Sequence, residues 1–242
     1  MGRWHILYQN PETRRPGGVD FEPMTIGRDS GSLEEARRRL LARLSHEVKD
    51  PRVIGAMAAV PRERFVPPEA YAMAYEDCAL PIGGGQTISQ PLIVAMMTDA
   101  LELRGDEQVL EIGTGSGYQA AVLSRLARKV VSVERKPHLL EEARRRLDEL
   151  GITNVDLHLA GVELGWPQGA PYQAIIVTAA SPGIPESLVR QLDEGGRLVI
   201  PSGGRLQQDL VKGVKREGRL ATQSLGPCGF VPLIGMEAWG EE

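Results

Sequence analysis

The N-terminal quarter of the chain carries apolar residues at helical spacing. Leu33, Leu40, Leu41, Leu44 and Val48 follow one another at helical spacing, which predicts an amphipathic helix. Ser32 is the expected N-cap, Glu35 completes a capping box, and Pro51 follows the helix. A second short helix is predicted at 53–60. Residues 1–31 contain prolines and glycines without either periodicity, so we expect an irregular arm there.

From residue 108 onward, short apolar strands alternate with amphipathic helices. Parallel neighbours in a sheet need a crossover connection, so this alternation predicts a parallel sheet with helices on both faces. Past Pro201 the helices cease, and two strands joined by a turn predict an antiparallel C-terminal edge. The predicted fold class is α/β, with a Rossmann-like, doubly wound, mostly parallel sheet. Strands are expected at 109–112, 130–133, 155–159, 174–177, 197–200, 210–214 and 220–225, and helices after Gly117 and at 137–150 and 186–192.

A glycine-rich turn, EIGTGSG at 111–117, directly follows the first of these strands. Glycines let the backbone bend sharply and approach a ligand closely, at the sheet edge where open α/β folds bind ligands. The dinucleotide-binding fingerprint has a glycine at the position that Tyr118 occupies here. This difference disfavours an NAD-binding protein. Glu111 could face the ligand or orient the loop, and it suits a cationic ligand better than a pyrophosphate.

Glu134 ends the next strand, 21 positions past Gly113. A carboxylate at this place can accept both hydroxyls of a ribose, although an isolated glutamate at a strand end is more often solvated. Together with the glycine turn, Glu134 predicts a nucleoside site. These features resemble the S-adenosylmethionine site of class I methyltransferases, whose glycine loop has this E-x-G-x-G-x-G form.

A second unusual segment, LPIGGGQTISQP, covers 80–91. Three consecutive glycines are costly to order, while Thr87, Ser89 and the backbone of a loop supply hydrogen-bond donors. Such a loop could hold a carboxylate. The alternative is a mobile connector in which Ser89 caps the helix that begins at Pro91.

Several further motifs accompany this segment. They are VPRERFVP at 60–67, YED at 75–77, GYQAA at 117–121, VTAA at 177–180, QLDEGGR at 191–197 and FVPL at 230–233. With them, residues 33–239 resemble the protein-L-isoaspartate O-methyltransferase family. The loop at 80–91 is the most specific of these motifs, since the glycine turn alone indicates only the superfamily.

The resemblance implies transfer of a methyl group from S-adenosylmethionine to the free carboxyl of L-isoaspartyl residues in damaged proteins and peptides. Such a carboxyl is already ionised at neutral pH, so the reaction needs no strong base. Ser89 is then the catalytic residue, as an orienting hydrogen-bond donor. The resemblance also places Thr87 and Ile88 in the substrate cleft, with Phe230 and Val231 expected near the peptide, and puts Glu111, Gly113, Thr114, Gly115, Ser116, Gly117 and Glu134 at the cofactor.

One position departs from the family pattern. Gly161 stands where an aspartate is expected to hold the adenine amino group, next to Val162. Both are predicted cofactor contacts, and Glu163 is the nearest candidate substitute for the missing carboxylate. Two other functions therefore stay open: methylation of another carboxylate, or a cofactor-binding or damaged-peptide-binding module with little turnover.

Composition sets limits on the class of protein. The 242 residues are 42% hydrophobic and 25% charged, with a net charge of −4. These values fit a globular domain and disfavour nucleic-acid binding through a broad basic field. No apolar run reaches the roughly 20 residues of a membrane span, and no signal peptide is apparent. With only Cys78 and Cys228 present, we expect a cytoplasmic protein without membrane partners.

We expect a single methyltransferase domain at 32–242, behind the arm at 1–31. Its predicted parts are a helical and substrate-loop region at 32–107, a cofactor-binding core at 108–205 and C-terminal strands at 206–242. The four histidines are scattered and none pairs with a cysteine at ligand spacing, so no metal site is predicted. The oligomeric state stays open, with a monomer favoured.

Overall fold

Two helices begin the part of the chain, residues 30–240, that the computed structural model describes. Helix α1 covers Ser30–Leu44, so it begins three residues before the predicted Leu33 and ends before the predicted Val48. Ser32 therefore lies inside its first turn and is not the N-cap. The predicted arm therefore ends before Ser30, and residues 1–29 lie outside the described part. Helix α2 covers Pro51–Ala59, and the Asp50 side chain caps it by accepting from the Arg52 amide.

The glycine-rich segment at 80–91 forms a β-hairpin followed by a helix. Strands β1 (Leu80–Gly83) and β2 (Gln86–Ile88) pair antiparallel, and helix α3 covers Pro91–Ala100. Gly83, Gly84 and Gly85 have φ angles of +88°, +59° and +72°. Three successive left-handed residues suit glycine alone, which explains why a segment costly to order carries them.

Seven strands form the central sheet. They are β3 (Gln108–Ile112), β4 (Lys129–Glu134), β5 (Val155–Leu159), β6 (Tyr172–Val177), β7 (Leu192–Gly203), β8 (Gln208–Arg216) and β9 (Arg219–Cys228). Their order is β5-β4-β3-β6-β7-β8-β9, parallel from β5 to β7 and antiparallel from β7 to β9. The α/β class, the mostly parallel sheet and the antiparallel C-terminal edge are confirmed. Strand β7 is longer than predicted at both ends, because it begins at Leu192, which pairs with Tyr172 of β6, and continues along β8 to Gly203.

Helices cover both faces of this sheet. Helix α4 (Tyr118–Leu123), helix α5 (Pro137–Glu149) and the N-terminal helices pack on one face, and helix α6 (Glu186–Gln191) packs on the other. Successive strand residues alternate between the two cores: Val109 belongs to the first and Leu110 to the second. Among the described residues, no helix is long and apolar enough to span a membrane.

Candidate functional site

A cavity of about 2200 Å³ opens at the carboxyl ends of the parallel strands. The glycine turn, the hairpin, the loop after β5 and the C-terminal segment all contribute to its wall. Open α/β sheets bind ligands at this edge. Every predicted site residue except Glu111 and Gly117 lines the cavity: Thr87, Ile88, Ser89, Gly113, Thr114, Gly115, Ser116, Glu134, Gly161, Val162, Phe230 and Val231.

The glycine turn brings bare backbone to the cavity. Gly113 has a φ of +97°, and a Cβ there would clash with Thr178 Oγ1. That hydroxyl donates to the Gly113 carbonyl at 2.7 Å and so fixes the turn. Gly115 has a φ of +52°, and Ile82 of the hairpin would lie 3.5 Å from its Cβ. The hairpin therefore packs directly over the glycine turn.

Gly117 has a packing role. It has a φ of +89°, and a Cβ at this position would meet the Ala143 Cβ of helix α5 at 3.2 Å. The missing side chain lets α5 approach the start of α4. This close approach explains why Gly117 lies outside the cavity lining although it belongs to the glycine motif.

Glu111 lies beneath the turn and is fully buried. The Ser132 hydroxyl donates to Glu111 Oε2 at 2.5 Å, and Thr114 Oγ1 lies 2.6 Å from the same hydroxyl. Glu111 Oε1 has no hydrogen-bond partner among the described residues. Burial raises the pKa of Glu111 to about 8. The carboxyl thus supports Thr114 through Ser132 and does not line the cavity.

Glu134 joins the turn to the end of β4. Its Oε2 accepts from the Gly115 amide at 2.8 Å, and its Oε1 accepts from the Lys136 amide at 2.8 Å. Each carboxylate oxygen has a second lone pair, so both can also accept a ligand hydroxyl. Glu134 can therefore hold the loop and a ribose together.

Ser89 directly follows the hairpin and lines the same cavity, half-buried and with a hydroxyl that bonds to no other described residue. The alternative in which it caps α3 is wrong, because Gln90 occupies the N-cap position without a side-chain bond. Asp77 does the capping: it accepts from the Leu92 amide at 2.8 Å and pairs with Arg43 at 2.8 Å. The Ser89 hydroxyl is thus available to a ligand.

The other predicted substrate residues lie on fixed backbone. Ile88 is buried and Thr87 is exposed, as alternation along β2 requires. Phe230 exchanges two hydrogen bonds with the Gln208 side chain, at 2.7 and 3.1 Å. The Val231 carbonyl accepts from the Ala180 amide at 2.8 Å. The C-terminal segment is thereby tied to the rim of the cavity.

The loop after β5 presents Gly161, Val162 and Glu163 to the cavity. All three are exposed, and a Cβ at Gly161 would meet no atom within 4 Å. The Gln191 side chain accepts from the Trp166 amide and donates to the Leu164 carbonyl, both at 2.8 Å. The base of the loop is therefore fixed while its tip is open.

Sequence reasoning gave no role to Asp77, Thr178 or Gln191, which hold these loops in place. Their signal was present, since they belong to the motifs at 75–77, 177–180 and 191–197. Those motifs serve the site through support. Within residues 30–240, no group of three or more histidine, cysteine, aspartate or glutamate side chains could hold a metal ion.

Comparisons with known proteins agree on one family. Its sequence model, described as protein-L-isoaspartate(D-aspartate) O-methyltransferase, matches residues 35–238. A protein-L-isoaspartate O-methyltransferase from Methanoculleus marisnigri is 56% identical over 195 residues, which is 81% of this chain and 89% of that protein. Another, from Dictyoglomus thermophilum, is 51% identical over 212 residues, 87% of this chain and 96% of that protein.

Solved structures show the same fold. A protein-L-isoaspartate O-methyltransferase structure aligns with a TM-score of 0.74 at 33% identity, over 84% of this chain and 67% of that one. A Plasmodium falciparum structure in complex with S-adenosyl-L-homocysteine aligns with a TM-score of 0.68 at 23% identity, over 83% and 95% of the two chains. At that identity, the second likeness concerns the fold alone.

Proposed function

This chain belongs to the protein-L-isoaspartate(D-aspartate) O-methyltransferase family, and we propose that its cavity is where S-adenosylmethionine and the free carboxyl of an L-isoaspartyl residue meet. The observation that carries the proposal is the sharing of one cavity. The glycine turn with Glu134 forms one wall, and the unpartnered Ser89 hydroxyl lies on another. A methyl donor and a carboxylate acceptor can therefore be held side by side.

The cofactor wall fits S-adenosylmethionine. Gly115 leaves bare backbone beneath Ile82, and Glu134 keeps lone pairs for the ribose hydroxyls. S-adenosylmethionine supplies, when bound, a methyl group on a positively charged sulfur. We assign its contacts to residues 113–116 and to Glu134. Glu111 and Gly117 belong to this site as supports, through Thr114 and through packing against α5.

Ser89 donates its hydrogen bond to the substrate carboxylate in this proposal. The carboxylate is already the reactive form near neutral pH, so Ser89 orients it and needs no partner base. Thr87 and Ile88 line the acceptor side, and Phe230 and Val231 border the peptide. Alignment of reacting groups supplies about 7 to 11 kcal/mol of barrier reduction in favourable cases. Alignment, together with exclusion of water, is thus the main task of the acceptor side.

The adenine is assigned to the loop that carries Gly161 and Val162. Glu163 is the carboxylate of that loop, exposed at the cavity wall. We propose that it accepts from the adenine amino group in place of the aspartate that the family usually has. The exposed position of Glu163 makes this a weaker contact than a buried one.

The proposal includes a monomeric, cytoplasmic enzyme whose substrates are isoaspartyl-containing proteins and peptides. Every residue assigned above lies on one chain, so no second subunit is required. Cys78 and Cys228 are both free thiols, which suits a reducing compartment.

The test is transfer of labelled methyl from S-adenosylmethionine to a short isoaspartyl peptide, with the matching L-aspartyl peptide as control. We expect base-labile label on the isoaspartyl peptide alone. Label on simple carboxylic acids and not on the peptide would favour another carboxylate as substrate. Cofactor binding without transfer to either peptide would instead favour a binding module and contradict the proposed activity.

A further inference from the structure

Arg62 is a buried arginine behind the hairpin, with 1% of its surface exposed. It opens a short 3₁₀ helix, Arg62–Phe65, within the motif at 60–67. Its Nε donates to the Ala74 carbonyl at 2.9 Å, and its Nη2 donates to the Ser89 carbonyl at 2.8 Å. One guanidinium therefore ties the backbone of Ser89 to the chain segment that precedes the hairpin.

The same guanidinium reaches the cofactor wall. Its central carbon lies 4.8 Å from the centre of the Tyr118 ring, in cation–π contact. Tyr118 is the first residue of α4, lines the cavity and packs edge-on against Phe65. Arg62 thus touches both the serine wall and the element that follows the glycine turn, without lining the cavity itself.

The positive charge of Arg62 has no counter-ion within the described residues. None of their carboxylates lies within ion-pair distance, and its Nη1 has no hydrogen-bond partner. The charge of Asp77 favours the charged form of Arg62, but this carboxylate pairs with Arg43 and caps the N-terminus of α3. Burial lowers the pKa of the guanidinium, yet arginine stays protonated at neutral pH. Burying a positive charge without an ion-pair partner costs free energy. The two hydrogen bonds that Arg62 donates to carbonyl oxygens do not explain the charge, because neutral donors can make such bonds.

The charges of the cavity lining indicate a role for the positive charge of Arg62. The described cavity lining carries more acidic than basic side chains. The acidic ones are Glu47, Glu69, Asp77, Glu134 and Glu163, and the basic ones are Arg135 and Lys136, of which Lys136 packs near Gly84 at the tip of the hairpin. A carboxylate at Ser89 therefore enters a cavity with an excess of negative side chains. A fixed cation behind the Ser89 backbone offsets that repulsion.

We propose that Arg62 is a positioning residue for the acceptor carboxylate. Its hydrogen bond to the Ser89 carbonyl fixes where the Ser89 hydroxyl points, and its unpaired charge favours an anion in front of that hydroxyl. This inference rests on the proposed function, since it takes the Ser89 wall as the acceptor side. It adds a requirement for charge at a residue that does not itself touch the substrate.

The experiment compares two peptides on the enzyme saturated with S-adenosylhomocysteine. One carries isoaspartate, and the other carries isoasparagine, which replaces the carboxylate by a neutral amide of the same shape. Calorimetry gives the ratio of their two dissociation constants. For R62M we expect the preference for the acid to fall by about tenfold, because a buried charge acts on the anion and not on the amide. R64M is the matched control, because Arg64 is in the same short helix but exposed and paired with Glu149.

A purely structural role gives a different result. If R62M weakens both peptides equally, or neither, the proposed effect of charge is overturned. If R62M does not fold, R62K is tested in its place. Lysine keeps the positive charge, but it lacks the planar guanidinium that donates to both carbonyls. We expect R62K to keep the acid-over-amide ratio while turnover falls by about fivefold or more. The proposal is contradicted if R62K no longer prefers the acid to the amide, or if its turnover is unchanged. Methylation by the wild-type enzyme is measured first, so failure of the proposed function is seen separately.

Discussion

The two walls of the cavity are both supported by a buried ionisable group, but these groups have opposite characters. Beneath the glycine turn, Glu111 acts through Ser132 on Thr114; behind the hairpin, Arg62 acts on the Ser89 backbone. The pKa of Glu111 is raised to about 8, so it is mostly protonated at neutral pH, whereas Arg62 keeps its charge. The comparison teaches that the wall for a cationic cofactor is backed by a nearly neutral carboxyl, and the wall for an anionic acceptor by a permanent cation.

The largest effect on ligand binding is expected from E134A, on the cofactor wall. The change removes an acceptor for the ribose and also frees the amides of Gly115 and Lys136. We expect cofactor affinity to fall by about 1.5 to 3 kcal/mol, with lower thermal stability. Calorimetry with S-adenosylmethionine measures the affinity, and E141A, at an exposed glutamate of α5, is the control. An unchanged dissociation constant would remove Glu134 from the cofactor site.

The acceptor wall is tested by S89A, which removes a hydroxyl that supports no other described residue. We expect kcat/KM for an isoaspartyl peptide to fall about tenfold to a hundredfold, the equivalent of one hydrogen bond to a charged group. Cofactor affinity should stay within about twofold of wild type, because no cofactor contact is lost. S45A, at an exposed serine outside the cavity lining, should change neither value. A full rate in S89A would exclude Ser89 from the mechanism.

Alternation and motif spacing were enough to predict the sheet and most of the cavity. The parallel sheet, its antiparallel edge and the meeting of the glycine turn with Glu134 follow from the alternation of strands and helices. Glu111 was expected either to face the ligand or to orient the loop, and alternation favours the second, because it puts residue 111 on the same face as Val109, under the helices. Gly117 was different: its partner Ala143 lies on another helix, and no local signal reports that contact.

The support of the hairpin could not be predicted from local sequence. Arg62 and Arg64 are two positions apart in one short motif, yet one is buried and the other is exposed. Their difference depends on tertiary packing against Tyr118 and Ser89. The hairpin itself was missed although its two-residue turn, Gly84-Gly85 with both φ angles positive, is a usual hairpin signal, because the run of glycines was interpreted as a loop. Motif matching identified the segments that form the site. It did not distinguish the residues that line the cavity from those that hold these segments in place.

The substitution E111Q tests the protonation state of Glu111, the buried carboxyl beneath the glycine turn. Folded Glu111 binds its proton more tightly than the unfolded chain, whose carboxyl has a pKa near 4.5. The wild-type protein should therefore lose stability relative to E111Q as pH rises from about 5 to 8, by up to about 1.4 kcal/mol per pH unit, and no further above that. Denaturant unfolding across this range measures the difference.

E107Q is the matched control for that experiment. Glu107 is also buried, and burial by itself raises its pKa. Hydrogen bonds from the backbone amides of Gly105 and Arg104, together with an ion pair with Arg197, outweigh burial and lower the pKa. Its stabilising effect is complete above the ordinary pKa of a glutamate, so E107Q should destabilise by a constant amount between pH 5 and 8. Parallel pH curves for wild type and E111Q would mean that Glu111 is ionised in the folded protein.

The smallest expected effect comes from G161D, on the cofactor wall where this chain departs from its family. The position has room for a side chain and is not among the glycines with a positive φ, so the aspartate costs little strain. If adenine lies at this loop, the new carboxylate should tighten S-adenosylmethionine binding by about 1 kcal/mol, or fivefold. E163Q should weaken binding in the wild-type background and matter less in G161D, since one acceptor would then replace the other. Calorimetry on the four variants forms a double-mutant cycle. Additive effects would mean that Glu163 and residue 161 do not share the adenine, and unchanged affinity in G161D would mean that the adenine is held elsewhere.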